Sequence, residues 1–497
     1  MKKIHLVILL LFGALGCIRA ADAPAPASDI NLKFKEMCRK TIENRLATPL
    51  EKLQYVIAWG ASYDLDAMLD GYLATGDPEF LDMFVKLADR AVAARADTLG
   101  IKDYRGRLRA GWLADPYYGT GGPVTLPDAS GKPSIEVRST LLSHNQETEV
   151  TVTADPAKGT FALESRNAKA GDRSLCKKID GLTMDNVEEK VNTAKTRTAI
   201  KVRKVGDQPP VTAGPVKTPG NNFVMHGHHT GKGVVPLLRF ALAVKADPAL
   251  SAKYGDAAAR YLKCAEEAIT DMDQDWREHP DGGYIVFEPG MPFWCDGVAE
   301  PNNTLALSGL AYLYLYDATG RELYLERARK LATFMKKELE DNPDGTVTFY
   351  YWTRLNRLGW GADAGSVNTP VFVIKTPLVE DTSHFQLSLR FFAECRRHKL
   401  VITDADMAKL AKTFHARIDR GNQEKPLAER VDGSLIEGVS YQHSQAGWAE
   451  FYDVDPAVPA RIRQIFEQTK RDDARSSVLA TWGTLLRGEA AKGSKPR

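Results

Sequence analysis

The chain is 497 residues long, 43% hydrophobic and 26% charged, with a formal net charge of +2. That composition belongs to a globular protein with a large core, and it excludes a disordered chain, a collagen-like repeat and a multi-spanning membrane protein. No overall field favours nucleic acid or anionic lipid, so an acidic partner would need a local cluster of side chains.

Lys2 and Lys3 precede an apolar run over 4–15, and the small residues Ala20 and Ala21 follow. This pattern predicts a secretory signal over 1–20, a short leader over 21–31, and a periplasmic or secreted protein. The run is too short for a comfortable transmembrane span. Ala14-Leu15-Gly16-Cys17 also imitates a lipoprotein site, which makes an outer-membrane lipid anchor at Cys17 the alternative. The remaining cysteines, Cys38, Cys176, Cys264, Cys295 and Cys395, form no CxxC pair and read as small buried hydrophobes.

Over 32–122 the apolar residues recur at helical spacing, as in Leu65, Met68, Leu69 and Tyr72, then Phe80, Phe84, Leu87, Ala88 and Ala91. Thr75-Gly76-Asp77-Pro78 ends one helix and starts the next. Over 123–221 the pattern changes to period two, at 135–138, 149–153, 160–163 and 199–205, and Phe161 is its sole aromatic residue. We read this stretch as a small β-rich insertion. Helical hairpins resume over 222–487, with 237–244 pairing 257–269, 304–316 pairing 323–339 and 385–395 pairing 407–418, then 457–466 and 476–486. A polar tail occupies 488–497. Two hairpins share one text, aromatic-x-Ala-Thr-Gly-x-x-x-aromatic-Leu, from Tyr72 to Leu81 and from Tyr316 to Leu325. Such an internal repeat predicts a mainly α protein, an (α/α) toroid or barrel of helical hairpins, with an open helical solenoid as the alternative.

The longer connections carry the chemistry-bearing side chains. The first holds Asn222, His226, His228 and His229, which suit substrate binding, or a metal site that would lack a carboxylate at standard spacing. No other cofactor is indicated. The second holds Trp294, Asp296, Glu300, Asn302 and Asn303 directly before an apolar helix, where one asparagine is expected as the N-cap. The third and fourth are Tyr350-Tyr351-Trp352 with Arg354, a candidate β-strand, and Glu380-Asp381-Thr382-Ser383-His384, where Thr382 or Ser383 is expected as the cap.

A tyrosine or histidine base, with an Asn, Arg or protonated acid neutralising a neighbouring carboxylate, is what β-elimination of a uronic acid polymer needs. Tyr350, Tyr351, His384, Asn303, Arg354 and Glu300 would then be catalytic, and Asn222, His226, His228, Trp294, Asn302, Trp352 and Asp381 would hold an acidic polysaccharide. Hydrolysis would instead need two opposed carboxylates, drawn from Asp296, Glu300, Glu380 and Asp381. A non-catalytic glycan-binding protein is the third reading.

The segments from Trp294 to Asn303, from Tyr350 to Trp352 and from Glu380 to His384, set among helical hairpins, resemble those of bacterial toroidal polysaccharide lyases of the alginate and glucuronan type. More loosely they resemble those of glucuronyl C5-epimerases. The resemblance spans 32–122 and 222–486 and implies an (α/α) barrel with uronate at its centre and a Tyr/His acid–base pair. Many such lyases place His directly after Asn, whereas Thr304 follows Asn303 here.

Overall fold

The computed structural model describes residues 29–114, 122–141, 147–170, 173–192, 198–219, 224–289, 291, 297–358, 377–421, 423–469 and 475–493. Most of 1–31, with Cys17, and also Asn222, Trp294, Cys295 and Asp296 lie outside these residues.

The first helices are α1 (Asp29–Ala47), α2 (Leu50–Val56), a π-helical turn at Ile57–Ala61, α3 (Ser62–Thr75) and α4 (Pro78–Ala93). A strand-rich stretch follows: β1 (Val124–Pro127), β2 (Pro133–Ser139), β3 (Glu149–Asp155), β4 (Thr160–Arg166), β5 (Lys178–Leu182), α5 (Val187–Asn192), β6 (Ile200–Lys204) and β7 (Ala213–Lys217). The chain returns to helices with α6 (Gly227–Ala246) and α7 (Pro248–Met272), the hairpin β8 (Trp276–His279) and β9 (Gly282–Ile285), then α8 (Asn302–Thr319) and α9 (Glu322–Lys336). It ends with β10 (Glu340–Asp341), β11 (Val347–Thr348), α10 (Arg354–Leu358), α11 (Thr382–Arg397), α12 (Asp404–Thr413), α13 (Ala446–Ala449), α14 (Ala457–Gln468) and α15 (Ser476–Gly493).

The packing closes a ring. Helix α3 packs on α6, α6 on α8, α8 on α11, α11 on α13, α13 on α15, and α15 returns to α3. Their outer partners are α4, α7, α9, α12 and α14. The protein is therefore an (α/α) toroid, and the open solenoid is set aside by the contact of α15 with α3.

Sequence explains which helices lie inside. Helix α8 buries every residue from Asn302 to Leu315, and α3 every residue from Ser62 to Gly71, where Asp64, Asp66 and Asp70 are paired with arginines. Helix α4 buries one stripe, Phe80, Leu81, Phe84, Leu87, Ala88 and Ala91, and leaves its other face to water. Inner helices also approach closely. A side chain at Gly309 would strike the Phe391 ring across the α8–α11 seam, and one at Gly447 would strike the Gln386 carbonyl across the α11–α13 seam.

The repeated hairpin text has one geometry twice. Gly76 and Gly320 adopt φ of 70° and 71°, and their N–H groups donate to Tyr72 and Tyr316 carbonyls at 2.7 Å in both cases. Thr75 and Thr319 hydroxyls donate to Gly71 and Leu315 carbonyls, each at 2.7 Å. These are left-handed C-caps, which glycine adopts without steric cost.

The strands form a four-stranded sheet in the order β5-β4-β3-β7 and a three-stranded sheet in the order β1-β2-β6. They share an apolar cluster of their own, built on Ile135, Val137, Val150, Val152, Phe161 and Leu163. Among the described residues no helix is long and apolar enough to cross a membrane.

Two expected caps differ. Pro301, not an asparagine, holds the N-cap position of α8, and no side chain caps it. The Asn302 amide instead donates to the Tyr350 carbonyl at 2.9 Å, tying two loops together. At α11 the cap is Asp381 rather than Thr382 or Ser383. Nor do Tyr350 to Trp352 form a regular strand: Tyr350 makes an isolated antiparallel bridge to Val379.

Candidate active site

The inner helices present their N-terminal ends at one mouth of the ring. The N–H of Gly227, which opens α6, donates to Glu300 just before α8 at 2.8 Å. The Tyr351 carbonyl accepts from the N–H of Asn302, at the start of α8, at 3.0 Å. In the first turn of α15, Ser477 meets His443 Nδ1 at 2.8 Å. Below the mouth, buried ion pairs of Arg239 and Arg390 with Asp66 fill the axis of the ring. Aligned N-termini give the mouth a positive potential that favours carboxylates.

Glu380 and Asp381 sit at this mouth on a short extended segment held from both sides. The Glu380 N–H donates to the Phe349 carbonyl at 2.9 Å, and its own carbonyl accepts from Val431 at 3.0 Å. Asp381 Oδ1 accepts from the N–H groups of Ser383 and His384, each at 3.0 Å, and from the Ser383 hydroxyl at 2.6 Å. Its Oδ2 lies 2.5 Å from His384 Nδ1. Burial raises the Asp381 carboxyl, but hydrogen bonds from His384 and Ser383 outweigh it and hold the group below its ordinary range.

Glu380 is the opposite case. It is fully buried, and neither carboxyl oxygen has a well-formed hydrogen bond among the described residues. Burial and then the Asp381 charge push it well above the ordinary range, against a smaller opposing effect of Asn303. Two neighbouring carboxyls are thus driven apart, Glu380 upward by burial and Asp381 downward by its hydrogen bonds, as in sites that pair an acid with a second carboxylate. Glu300 is likewise raised, to about 8, by burial and by Asp275, against the Gly227 N–H.

Aromatic rings surround the pair. Tyr351 meets His384 edge-on at 5.6 Å, and Trp59 meets the same imidazole edge-on at 5.3 Å. Trp59 stacks on His228 at 4.2 Å. His226 and His229 lie beside them, with ring centroids 4.8 Å apart. Burial lowers all three imidazoles of this cluster, His226 to about 4, so they are neutral.

The structure thus brings His226, His228, Glu300, Asn302, Asn303, Tyr351, Asp381 and His384 to one mouth. Two of the expected residues have other partners. Arg354 is bound through Nε to buried Glu338 at 2.9 Å and lies 3.6 Å from Asp281. Trp352 is buried in an apolar cluster with Val224, Phe287, Met291 and Val298. The Tyr350 carbonyl accepts from the Asn302 amide at 2.9 Å. Sequence reasoning missed Trp59 and named Glu380 only as one carboxylate among several. Both lie in unremarkable text, and only tertiary packing marks them.

Among the described residues, Glu380, Asp381 and His384 bring three ligand atoms within 4.8 Å of one another, and the histidine cluster does not.

The sequence matches no family model and no curated protein. It is similar in fold to the α-1,6-mannanase of Salegentibacter sp. HEL1_6, at 10% identity and a TM-score of 0.41, over 94% of this chain and 99% of that one. Two inactive variants of that mannanase, in complex with α-1,6-mannotriose and α-1,6-mannotetrose, match at 10% and 11% identity. Their TM-scores are 0.41 and 0.42, over 93% of this chain and 99% of each. These proteins are glycoside hydrolases. The expectation of a uronate lyase is corrected accordingly. Arg354, one of the groups expected to neutralise uronate, is engaged by Glu338 and Asp281.

Proposed function

We propose that this protein is an exported glycoside hydrolase in which Glu380 is the general acid and Asp381 the nucleophile. The observation that supports this reading is the divergence of the two neighbouring carboxyls at the mouth of the toroid. Burial pushes the Glu380 carboxyl upward, toward its neutral form, while the hydrogen bonds of His384 and Ser383 hold Asp381 toward its ionised form. Asn303 is the side chain that Glu380 faces, and a glycosidic oxygen entering the mouth would give a protonated Glu380 an acceptor.

In the first step an Asp381 oxygen bonds to the anomeric carbon, the carbon–oxygen bond to the leaving sugar breaks, and the Glu380 proton goes to the departing oxygen. In the second, water attacks the same carbon, gives its proton to Glu380 and frees Asp381. One glycosidic bond and one water become two hydroxyls, with net retention at the anomeric carbon. Carboxyl oxygens within 4.8 Å of one another suit this course better than inversion, which needs about 6.5–9.5 Å to admit water between the groups.

The test is reducing-end release from a panel of neutral oligosaccharides, including α-1,6-linked mannose, β-1,4-linked glucose and α-1,4-linked glucose. Glu380→Gln and Asp381→Asn should each lower turnover by about 10²–10⁴-fold, the range for a positioned proton donor. Asparagine still caps a helix, so Asp381→Asn should keep its fold. Undiminished turnover in Glu380→Gln, or no reducing ends from any glycan of the panel, would overturn the assignment.

A further inference from the structure

The extended segment that carries Glu380 and Asp381 is paired on one side by residues 429–431. The Thr382 N–H donates to the Glu429 carbonyl at 2.8 Å, and the Val431 N–H to the Glu380 carbonyl at 3.0 Å. These two bonds flank the antiparallel bridge between Asp381 and Arg430. Asp381 and Arg430 are therefore a non-hydrogen-bonded pair, the kind that brings opposed Cα atoms to about 4.5 Å and sends both side chains to one face. Arg430 thus rises beside Asp381 at the mouth of the toroid.

The two side chains do not bond to each other. Asp381 is taken up by His384, by Ser383 and by the first N–H groups of α11. The Arg430 guanidinium is half-buried, and among the described residues no carboxylate, carbonyl or ring engages it. Other arginines withdrawn from solvent, such as Arg109, Arg239, Arg390 and Arg461, each pair with a carboxylate. Tyr441 stands close by. Gln442 clamps its loop just upstream of Arg430, donating to the Leu427 carbonyl at 2.6 Å and accepting from the Leu427 N–H at 2.9 Å. Burial, and then the Asp381 charge, raise the Tyr441 phenol against the opposing effect of Arg430, so the phenol lies within range of both.

We infer that Arg430 binds the sugar next to the catalytic pair, its guanidinium donating to two adjacent hydroxyls of a neutral pyranose. The inference rests on the hydrolase reading for the identity of the site. A guanidinium offers paired N–H donors in a fixed planar fork, which fits two neighbouring oxygens as a single ammonium does not. Neutral oxygens suit the position better than a charged substituent, since an anion at Arg430 would also face the Asp381 carboxylate, and like charges at that range repel. A partly buried guanidinium without an acceptor is costly, and the incoming hydroxyls would supply one. A ring held at two points cannot swing about either, so the fork sets which oxygen faces Glu380.

Binding can be read without turnover. In the Glu380→Gln background, titration calorimetry with the neutral tetrasaccharides of the panel gives a Kd for each. Adding Arg430→Ala should weaken the tightest of them by about tenfold or more, as expected for lost hydrogen bonds to a charged group. Arg430→Lys should restore only part of that loss, because one ammonium does not reproduce the fork. Analogues of that tetrasaccharide lacking one hydroxyl at a time should reveal two adjacent hydroxyls whose removal weakens binding when Arg430 is present and not in Arg430→Ala. The thermal melts of the three proteins should coincide, since the guanidinium has no bond to lose. An unchanged Kd in Arg430→Ala, full recovery by lysine, no hydroxyl pair that depends on Arg430, a lowered melt, or no binding of any tetrasaccharide would each overturn the assignment. Arg430-dependent binding in a protein that never releases reducing ends would keep it and remove the hydrolase reading. Release of reducing ends with an unchanged Kd would do the reverse.

Discussion

Glu300 joins two inner helices through one hydrogen bond, from the Gly227 N–H that opens α6 to a carboxyl just before α8. Burial raises that carboxyl to about 8, above the ordinary value of 4.5. A raised folded-state value means that folding is favoured by the protonated form. The contribution is fully present below about 4.5 and is lost as pH rises through about 8. His226 works in the opposite direction: its lowered value contributes stability above about 6.5 that is lost as pH falls through about 4. Comparison with Glu300→Gln cancels the histidine effect, because both proteins carry it. The difference in Tm between wild type and variant should therefore move against the wild type between pH 5 and pH 9, and a constant difference would contradict the pairing. At this scale the sequence shows residue types and not their partners. His384 and Tyr351 were legible because both lie at hairpin mouths, His384 in the first turn of an apolar helix. Arg354 was misread because its partner Glu338 is buried across a loop. Trp59 was passed over because its exposure follows from how the ring closes around it.

The hairpin turns are the most legible elements, since a left-handed cap needs glycine and the text around it repeats. Open space surrounds Gly76 and Gly320, so an alanine at either would meet no clash and would suffer only the left-handed backbone. Gly76→Ala and Gly320→Ala should each destabilise by about 1–2 kcal/mol in chemical denaturation. Gly255, in the interior of α7 and equally unobstructed, should respond with the opposite sign. Gly255→Ala should stabilise by about 0.5–1 kcal/mol, because helix interiors favour alanine. Equal effects at all three positions would remove the backbone explanation. Less legible were the starts of α8 and α11. Paired asparagines before an apolar run suggested a cap, yet Asn302 bonds a neighbouring loop, while Asp381, one residue before Thr382, takes the cap at α11. A polar side chain near a helix start can satisfy either its own helix or a neighbour, and local sequence does not distinguish them.

For the whole molecule, hairpin periodicity announces helices in pairs but not which helix meets which. The contact of α15 with α3 that closes the toroid joins segments more than 400 residues apart. The same gap in reasoning produced the lyase expectation: convergence of Tyr, His and Arg was inferred from hairpin mouths, and Arg354 does not join it. The strand-rich stretch between α4 and α6 carries a further prediction. The Ala114 N–H donates to the Val224 carbonyl at 2.8 Å, so the flanks of the stretch already adjoin. Replacing 123–221 by a short linker should preserve helical circular dichroism and turnover, and loss of turnover in a folded variant would mean that the strands complete the mouth. The central claim, hydrolysis with retention by Glu380 and Asp381, is tested most directly by proton magnetic resonance of freshly cleaved oligosaccharide. The account predicts saturated products whose new reducing end first appears in the anomeric configuration of the substrate and only later equilibrates. First appearance of the inverted anomer, or of an olefinic proton, would contradict it.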